Sequence, residues 1–391
     1  MTQCTFFSDE HWKQLYPFSF SHQNGKMRWG AFTLEQLWNY YMQKAQEQVQ
    51  HLPLSYVQQY WCQGAINDRW IPNEDAAIAL LNLQPGQSLY SGKTELFRPR
   101  EMQPEQQAPI NLTEAFLIDH PTDFFLKCGW AIESQAELIR THWNARAWDP
   151  AVHGDHSIVI GDANLVFVAP GARILASTLN TEHGPIFIGP DAEVQEGSHI
   201  RGPFLLDEGS IIKMGSRVYG PTTVGPHCRI GGEVSNSVFL GYSNKGHDGF
   251  VGNSVIGQWC NLGADTNTSN LKNNYSPVRI WDAVTSSMQD TELQFCGLIM
   301  GDHSKCAINT MFNTGTVIGP GSVIVGSTFP PQHVPPFSWG GDGHWTEHRF
   351  DRFIETASKV MERRRHQLSD EEEDQWRREF QTTINQRSSQ S

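Results

Sequence analysis

A lone histidine, His247, stands in the stretch GYSNKGHDGFVG with a glycine directly before it and another two residues after it. Glu233 lies fourteen residues upstream and Asn261 fourteen residues downstream. A neutral imidazole is a suitable general base near neutral pH, and a nearby carboxylate can fix its tautomer and stabilise the imidazolium. Asparagine amides supply neutral donors and acceptors for hydroxyls, amides or a developing oxyanion. Together these types could take a proton from an attacking amine or hydroxyl. A histidine alone is more often a surface or structural residue than a catalyst. The glycine-flanked loop around this one shifts that balance.

Other histidine sets carry less. His199, His227 and His247 are too widely spaced to offer the close pair on one coil that a zinc hydratase site of the carbonic-anhydrase type would need. His344 and His348 have metal-clasping spacing but no third ligand beside them, so a polar helix entrance is expected and no metal site is assigned. The chain has 391 residues, a formal net charge of -13 and 18% charged residues, which argues against a nucleic-acid binder. Its seven cysteines are scattered without a C-x-x-C pair, as in free thiols of a reducing compartment. With no signal-like start and no membrane-length apolar run, a cytoplasmic protein without a membrane partner is expected.

The elements that must position His247 announce themselves by period. Ile188, Val194, Ile200, Leu206, Ile212, Val218, Val224 and Ile230 fall six apart, and so do Met300, Cys306, Phe312, Ile318 and Ile324. No α-helix supports that step, and the glycine density would weaken one. Hexads of this kind predict a parallel β-helix in which each hexad makes one short strand and one corner. It is expected over residues 157–330, with two interruptions: Gly241 to Gly249, and Thr268 to about Phe295. Insertions in a solenoid concentrate on one face and commonly carry function.

Residues 1–150 contain no hexads. A helix from Thr33 to about Gln50, strand-like SLYSGKTELF and a helix from about Ala131 to Trp143 predict an α/β domain. Beyond a Pro- and Gly-rich exit, residues 345–391 predict two helices, the second opened by a Ser369–Glu372 capping box, and then a frayed tail.

The stretch EVSNSVFLGYSNKGHDGFVGNSVIG, followed by NLGADTNTSN, resembles the acetyltransferase half of the bifunctional N-acetylglucosamine-1-phosphate uridyltransferases. Glu233, His247, Asn261 and Asn270 match that family's pattern. The resemblance implies a left-handed β-helix and a histidine that deprotonates a sugar amine as it attacks the thioester of acetyl-CoA or another acyl-CoA. It also implies that Glu233 orients the histidine, while Asn261 and Asn270 bind substrate. Ser235 stands where the family usually has a phosphate-binding lysine, and Lys245, Lys272 or Arg279 could supply the charge instead.

The whole chain is similar to a narrower branch of that family, the sugar nucleotidyltransferase-like chains, through FFSDEHWKQLYPFSFSHQNGKMRWGAFTLEQLW and the downstream phrases GPIFIGPDAEVQEGSHIRGPF and GYSNKGHDGF. The glycine-rich G-x-G-T-R loop of active nucleotidyltransferases is missing from the N-terminus. Lys26 and Arg28 are the candidates for a remnant, and Asp119 and Asp123 have no clear partner for Mg²⁺, which would be required only if this domain turns over. The leading expectation is an N-acyltransferase on an amino sugar phosphate or nucleotide sugar, working as a homotrimer with acyl-CoA sites between subunits. There Gly301 and Ala307 are expected to admit the pantetheine arm. The alternatives are a sugar-1-phosphate nucleotidyltransferase with a β-helix assembly domain, or a non-catalytic trimeric scaffold.

Overall fold

In the computed structural model, the structure describes residues 5–48, 64–84, 86–100, 110–112, 114–153 and 156–388. They form two compact units. One comprises the chain up to His120 except Tyr16–Phe18; the other comprises Tyr16–Phe18 and the chain from Pro121 onward. The boundary therefore falls near residue 120 rather than 150. The helices between 123 and 153 belong with the solenoid because they lie on it: Cys128 Sγ is 3.2 Å from Thr223 Oγ1, inside a buried contact.

In the first unit a five-stranded sheet runs in the order Phe6–Phe7, Gly64–Asn67, Thr94–Pro99, Leu89–Ser91, Ile110–Asn111. Helix Leu34–Gln48 buries Leu34, Leu37, Trp38, Met42 and Ala45, a 3.6-period stripe. Helix Glu74–Leu81 starts at Asn73, whose side chain accepts from the Ala76 amide. Trp38, Ile66, Trp70, Leu89 and Leu96 share one core, and Trp38 Nε1 donates to the Trp70 carbonyl at 3.1 Å. The last two residues expected in the first helix, 49 and 50, lie outside the described residues, as do Cys4 and Cys62.

The second unit is a parallel β-helix with three faces. One stacks Val224, Phe239, Ile256 and Met300 inward; the next stacks Ile230, Lys245 and then Leu262 with Cys306; the third stacks Val218, Val234 and Val251. All are buried, and all but Lys245 share one apolar column. We name the faces by Phe239, Lys245 and Val251, which belong to one coil. Each inward side chain meets its counterpart one strand spacing away, about 4.8 Å.

Several boundaries differ from expectation. The stretch from Gly241 to Gly249 is not a break, because Asn244–Lys245 forms a strand in register with Arg229–Ile230. Tyr242 makes the corner before that strand and residues 246–249 the turn after it. The Pro- and Gly-rich exit contributes further rungs, His333–Val334 and Ser338–Gly341, so the solenoid outlasts residue 330. The second insertion holds a hairpin, Arg279–Asp282 with Ser287–Asp290. The expected helix from Ala131 to Trp143 is two, Cys128–Ser134 and Ala136–His142, divided at Gln135. At the C-terminus the capping box is present, but the tail is not frayed over its described part. Ile384–Ser388 is helical, and Arg387 donates to Glu347 at 3.2 Å and to the Phe380 carbonyl at 2.8 Å.

Candidate functional site

Where the Lys245 and Val251 faces meet, an edge is built from small residues. Gly231–Gly232, the 246–249 turn and the turn after Gly263 stack on one another. Gly232 has φ +74, and a Cβ there would lie 2.6 Å from the Gly249 carbonyl oxygen and 2.9 Å from that of His247, so only glycine fits. Above, the Asp265 amide donates to the Asp248 carbonyl at 3.1 Å. His247 projects from this edge into solvent, and its ring makes no hydrogen bond among the described residues.

Lys245 fixes that turn from inside. It takes the inward position that Ile230 takes one coil below, and it is fully buried. Its ammonium donates to the carbonyls of His247, of Asp248 at 2.7 Å and of Gly231 at 3.4 Å. Burial pushes its pKa down to about 8, against the upward pull of Asp248 and Asp265. Lys245 is therefore not the exposed phosphate binder the sequence suggested; its ammonium is turned to the backbone carbonyls of this turn and of the one below it.

Glu233 opens the Val251-face strand just past the same edge, and its amide donates to the Gly249 carbonyl at 3.1 Å. Its carboxylate, however, accepts from Arg217 Nε at 3.3 Å, and among the described residues it makes no hydrogen bond or ion pair with His247. The predicted orienter is thus held by an arginine instead. Asn261 lies exposed on the Lys245 face between Asn244 and Lys305. It and Glu233 occupy the two faces that meet at His247.

Asn270 is elsewhere, on the edge between the Val251 and Phe239 faces. Its amide donates to Asn253 Oδ1 at 2.8 Å. With the Asn236 amide turned to satisfy its neighbours, Asn253 donates in turn to Asn236 at 2.9 Å. This asparagine ladder bonds coil to coil and gives Asn270 a structural task. Lys272 follows it into the insertion. Gly301 is buried, and a Cβ there would meet Pro320 and Pro17 at 2.8 and 3.0 Å, which leaves no passage for a pantetheine arm. Ala307 does lie on the histidine edge, in the turn above that of Gly263.

The third edge is closed by rings. His227, Tyr242, Trp259 and His303 all have positive φ and stack with centroids 5.3, 4.1 and 6.2 Å apart. His366, Phe353 and Trp376 from the C-terminal segment meet them edge-on. Burial pushes the His303 pKa down to about 3, so it is neutral at ordinary pH.

In the first unit the sequence reading missed Arg69. It is buried, binds Asp9 at 2.6 Å and pairs with Asp119. Asp68 accepts from Ser8 Oγ at 2.8 Å and from the Gly25 and Asn24 amides at 2.7 and 3.1 Å. These carboxylates are taken up by arginine and backbone donors and do not fit a Mg²⁺ site. Arg28 donates to the Ala31 carbonyl in its own hairpin. Only a buried arginine's partners, invisible in a linear pattern, would have pointed to Arg69.

Comparison with known proteins adds to this geometry. Residues 4–143 match the family model described as sugar nucleotidyl transferase. The bifunctional protein GlmU of Methanocaldococcus jannaschii is 33% identical over 87 residues, 22% of this chain and 21% of that protein. GlmU of Methanococcus maripaludis strain C7 is 33% identical over 92 residues, 24% and 22% of the two chains. This chain resembles the GlmU enzymes. It spans about a fifth of the length of those curated relatives. Among solved structures, the polySia-specific acetyltransferase NeuO gives 12% identity and a TM-score of 0.28, covering 49% of this chain and 81% of that one. A mutant of the N-acyltransferase AntD from Bacillus cereus, in complex with dTDP and coenzyme A, gives 12% identity and a TM-score of 0.23, covering 56% and 98%. No described helix is long and apolar enough to cross a membrane.

Proposed function

We propose that the solenoid is an acyl-CoA-dependent N-acyltransferase acting on an amino sugar that carries a phosphate or nucleotide, with His247 as general base. The observation that carries the reading is an imidazole held out at a solenoid edge by a turn that Lys245 pins from within. Similarity to the GlmU enzymes over 87 and 92 residues supports it. His247 takes the proton as the sugar amine attacks the thioester carbonyl; the tetrahedral oxyanion collapses, the C–S bond breaks, and CoA leaves as the thiol after reprotonation. Asn261 and Glu233, on the flanking faces, line the approach.

The active form is a homotrimer in this reading, with the neighbour's coils covering the histidine edge. Met214 and Ile308, 69% and 64% exposed, are large apolar residues on that edge, of the kind an interface covers. The first unit, matched by the sugar nucleotidyl transferase model, binds a nucleotide or sugar nucleotide, with pyrophosphorolysis slow or absent because Asp9, Asp68 and Asp119 already have partners.

His247→Ala should reduce acyl transfer by about 10²–10⁴-fold while thermal unfolding stays unchanged. A folded variant with wild-type turnover overturns the assignment. Light scattering at low micromolar concentration should give three chain masses, and a monomer that still transfers acyl groups contradicts the shared site. Rapid Mg²⁺-dependent pyrophosphate release from a nucleoside triphosphate and a sugar 1-phosphate would refute the idle-domain reading.

A further inference from the structure

The C-terminal helices Phe350–Glu362 and Asp370–Thr382 bury Phe353, Ala357, Met361 and Trp376. Phe353 and Trp376 share an apolar cluster with Phe337 of the last coil. Apolar rings alone could make such a joint, yet four histidines are built into it. His227 and His303 belong to the aromatic edge, His348 precedes the first helix and His366 follows it. His366 meets Tyr242 and Trp259 edge-on, with centroids 4.8 and 5.6 Å away.

Two of these imidazoles are sealed in with a ring nitrogen unmatched. His303 and His348 are buried, and His303 Nδ1 and His348 Nε2 have no hydrogen-bond partner among the described residues. Both rings meet Phe353 edge-on, with centroids 5.7 and 6.0 Å away. His348 Nδ1 lies 2.8 Å from the Gly321 carbonyl oxygen, so it carries the proton and Nε2 is bare. An imidazolium at either place would hold a charged N–H where nothing accepts it. Charge sharpens the effect. Arg229 and Lys305 already lie near His227 and His303 on the solenoid, and Lys305 lies near His348 as well. From the helix side Arg364 and His366 face His227. Against these, Glu208 draws His227 toward its charged form and Asp302 draws His303. Burial, the largest cause for each, holds His227 and His348 below the ordinary histidine range and His303 down at about 3. Protonation thus adds like charge to both sides of one contact.

We propose that these histidines form an acid-sensitive latch: neutral, they hold the C-terminal helices on the aromatic edge, and protonated, they loosen the helices while the coils beneath stay folded. Arg364 donates to Asn244 Oδ1 at 3.1 Å, and Asn244 pairs in register with Asn261. Loosening therefore also frees the column that carries Asn261. The latch works in the same way whatever reaction the solenoid performs.

Undocked helices leave the imidazoles at the ordinary value of 6.5, whereas docking holds them lower. The undocked state binds more protons, so docking weakens as pH falls below about 6.5, by up to about tenfold per unit for each histidine. For His303 this continues down to about 3. Glu379, pushed up to about 7 by burial in the second helix, works in the opposite sense, strengthening docking as pH falls from about 7 to 4.5. Glu379→Gln silences it. Hydrogen exchange on the full chain carrying Glu379→Gln, corrected for the intrinsic pH dependence of exchange, reads helix and coil amides separately. Between about pH 7.5 and 5, protection of residues 350–362 and 370–382 should fall about thirtyfold or more, while the coils from Val218 to Val251 keep theirs. Adding His303→Phe, which keeps a ring in the stack, should shrink that fall by about tenfold or more. His303→Asn, a neutral residue that also tolerates φ +58, makes the same comparison if the Phe variant does not fold. Unchanged helix protection at pH 5, an equal fall in the folded His303 variant, or loss of coil and helix protection together overturns the latch.

Discussion

Two edges of the same prism, stacked with the same rung spacing, end in opposite ways. At the aromatic edge the left-handed turn positions hold His227, Tyr242, Trp259 and His303, which pack ring on ring and are covered by the C-terminal helices. At the histidine edge the corresponding positions are mostly glycine or small polar residues, and backbone stacks directly on backbone. The first edge pays for its strained φ angles with buried ring surface. The second leaves room beside a turn whose side chain, His247, is exposed. A β-helix can therefore assign one edge to stability and another to chemistry without altering the coil.

The largest effect should come from breaking the closed edge. Trp259 is 7% exposed and sits between Tyr242 and His303, with His366 edge-on at 5.6 Å. Trp259→Ala should cost about 3–5 kcal/mol of stability, the usual range for a buried aromatic. Well below its unfolding temperature the variant should keep acyl transfer, because the bonds that hold the His247 turn lie on the other edge. Equal loss of both would show that the edges are not independent.

A smaller effect is expected from filling the open edge. Gly232→Ala puts a side chain at φ +74 and drives its Cβ into the Gly249 carbonyl. The strain should cost about 1–3 kcal/mol, and the displaced turn should lower acyl transfer by about tenfold or more. Unfolding melts and turnover measured on one preparation check both numbers. A variant that loses stability but keeps full turnover would mean that His247's placement does not matter.

The uneven legibility of these edges in the sequence has a physical cause. Hexads are readable because an inward side chain recurs once per face, so Ile188 through Ile230 and Met300 through Ile324 declare the faces. The same step links Phe239, Lys245 and Val251, and it was hidden because a lysine does not look like a core residue. A break in apolar type does not mark a break in the coil. The edges themselves carry no period of their own. Which residues share one depends on how many residues each coil spends on its turns, and that places Asn270 with Asn253 and Ala307 on His247's edge. Glu233 could be placed near His247 from spacing, but its choice of Arg217 depends on a neighbour one rung below.

The most discriminating prediction concerns Lys245. Its pKa is pushed down to about 8 from 10.5 by burial. Below pH 8 the folded and unfolded chains both hold the proton, and stability has no slope from this group. Between about 8 and 10.5 the unfolded chain binds one proton more than the folded chain, so stability rises with pH, by at most ~1.4 kcal/mol per unit. Lys245→Met places an apolar chain of similar length at an inward position that Ile230 already fills one coil below, so that slope should vanish in the variant. Lys305, also pushed down to about 8, contributes equally to both proteins and cancels in the difference. Catalysis should move the other way. A neutral amine has two hydrogens for the three carbonyls of Gly231, His247 and Asp248. Above pH 8 the wild-type turn loses a bond while the fold gains stability, and acyl transfer should fall relative to the variant's flat, lower activity. Parallel pH profiles of unfolding and turnover for the two proteins would show the crossing; stability and turnover rising together in wild type would remove Lys245 from control of the turn.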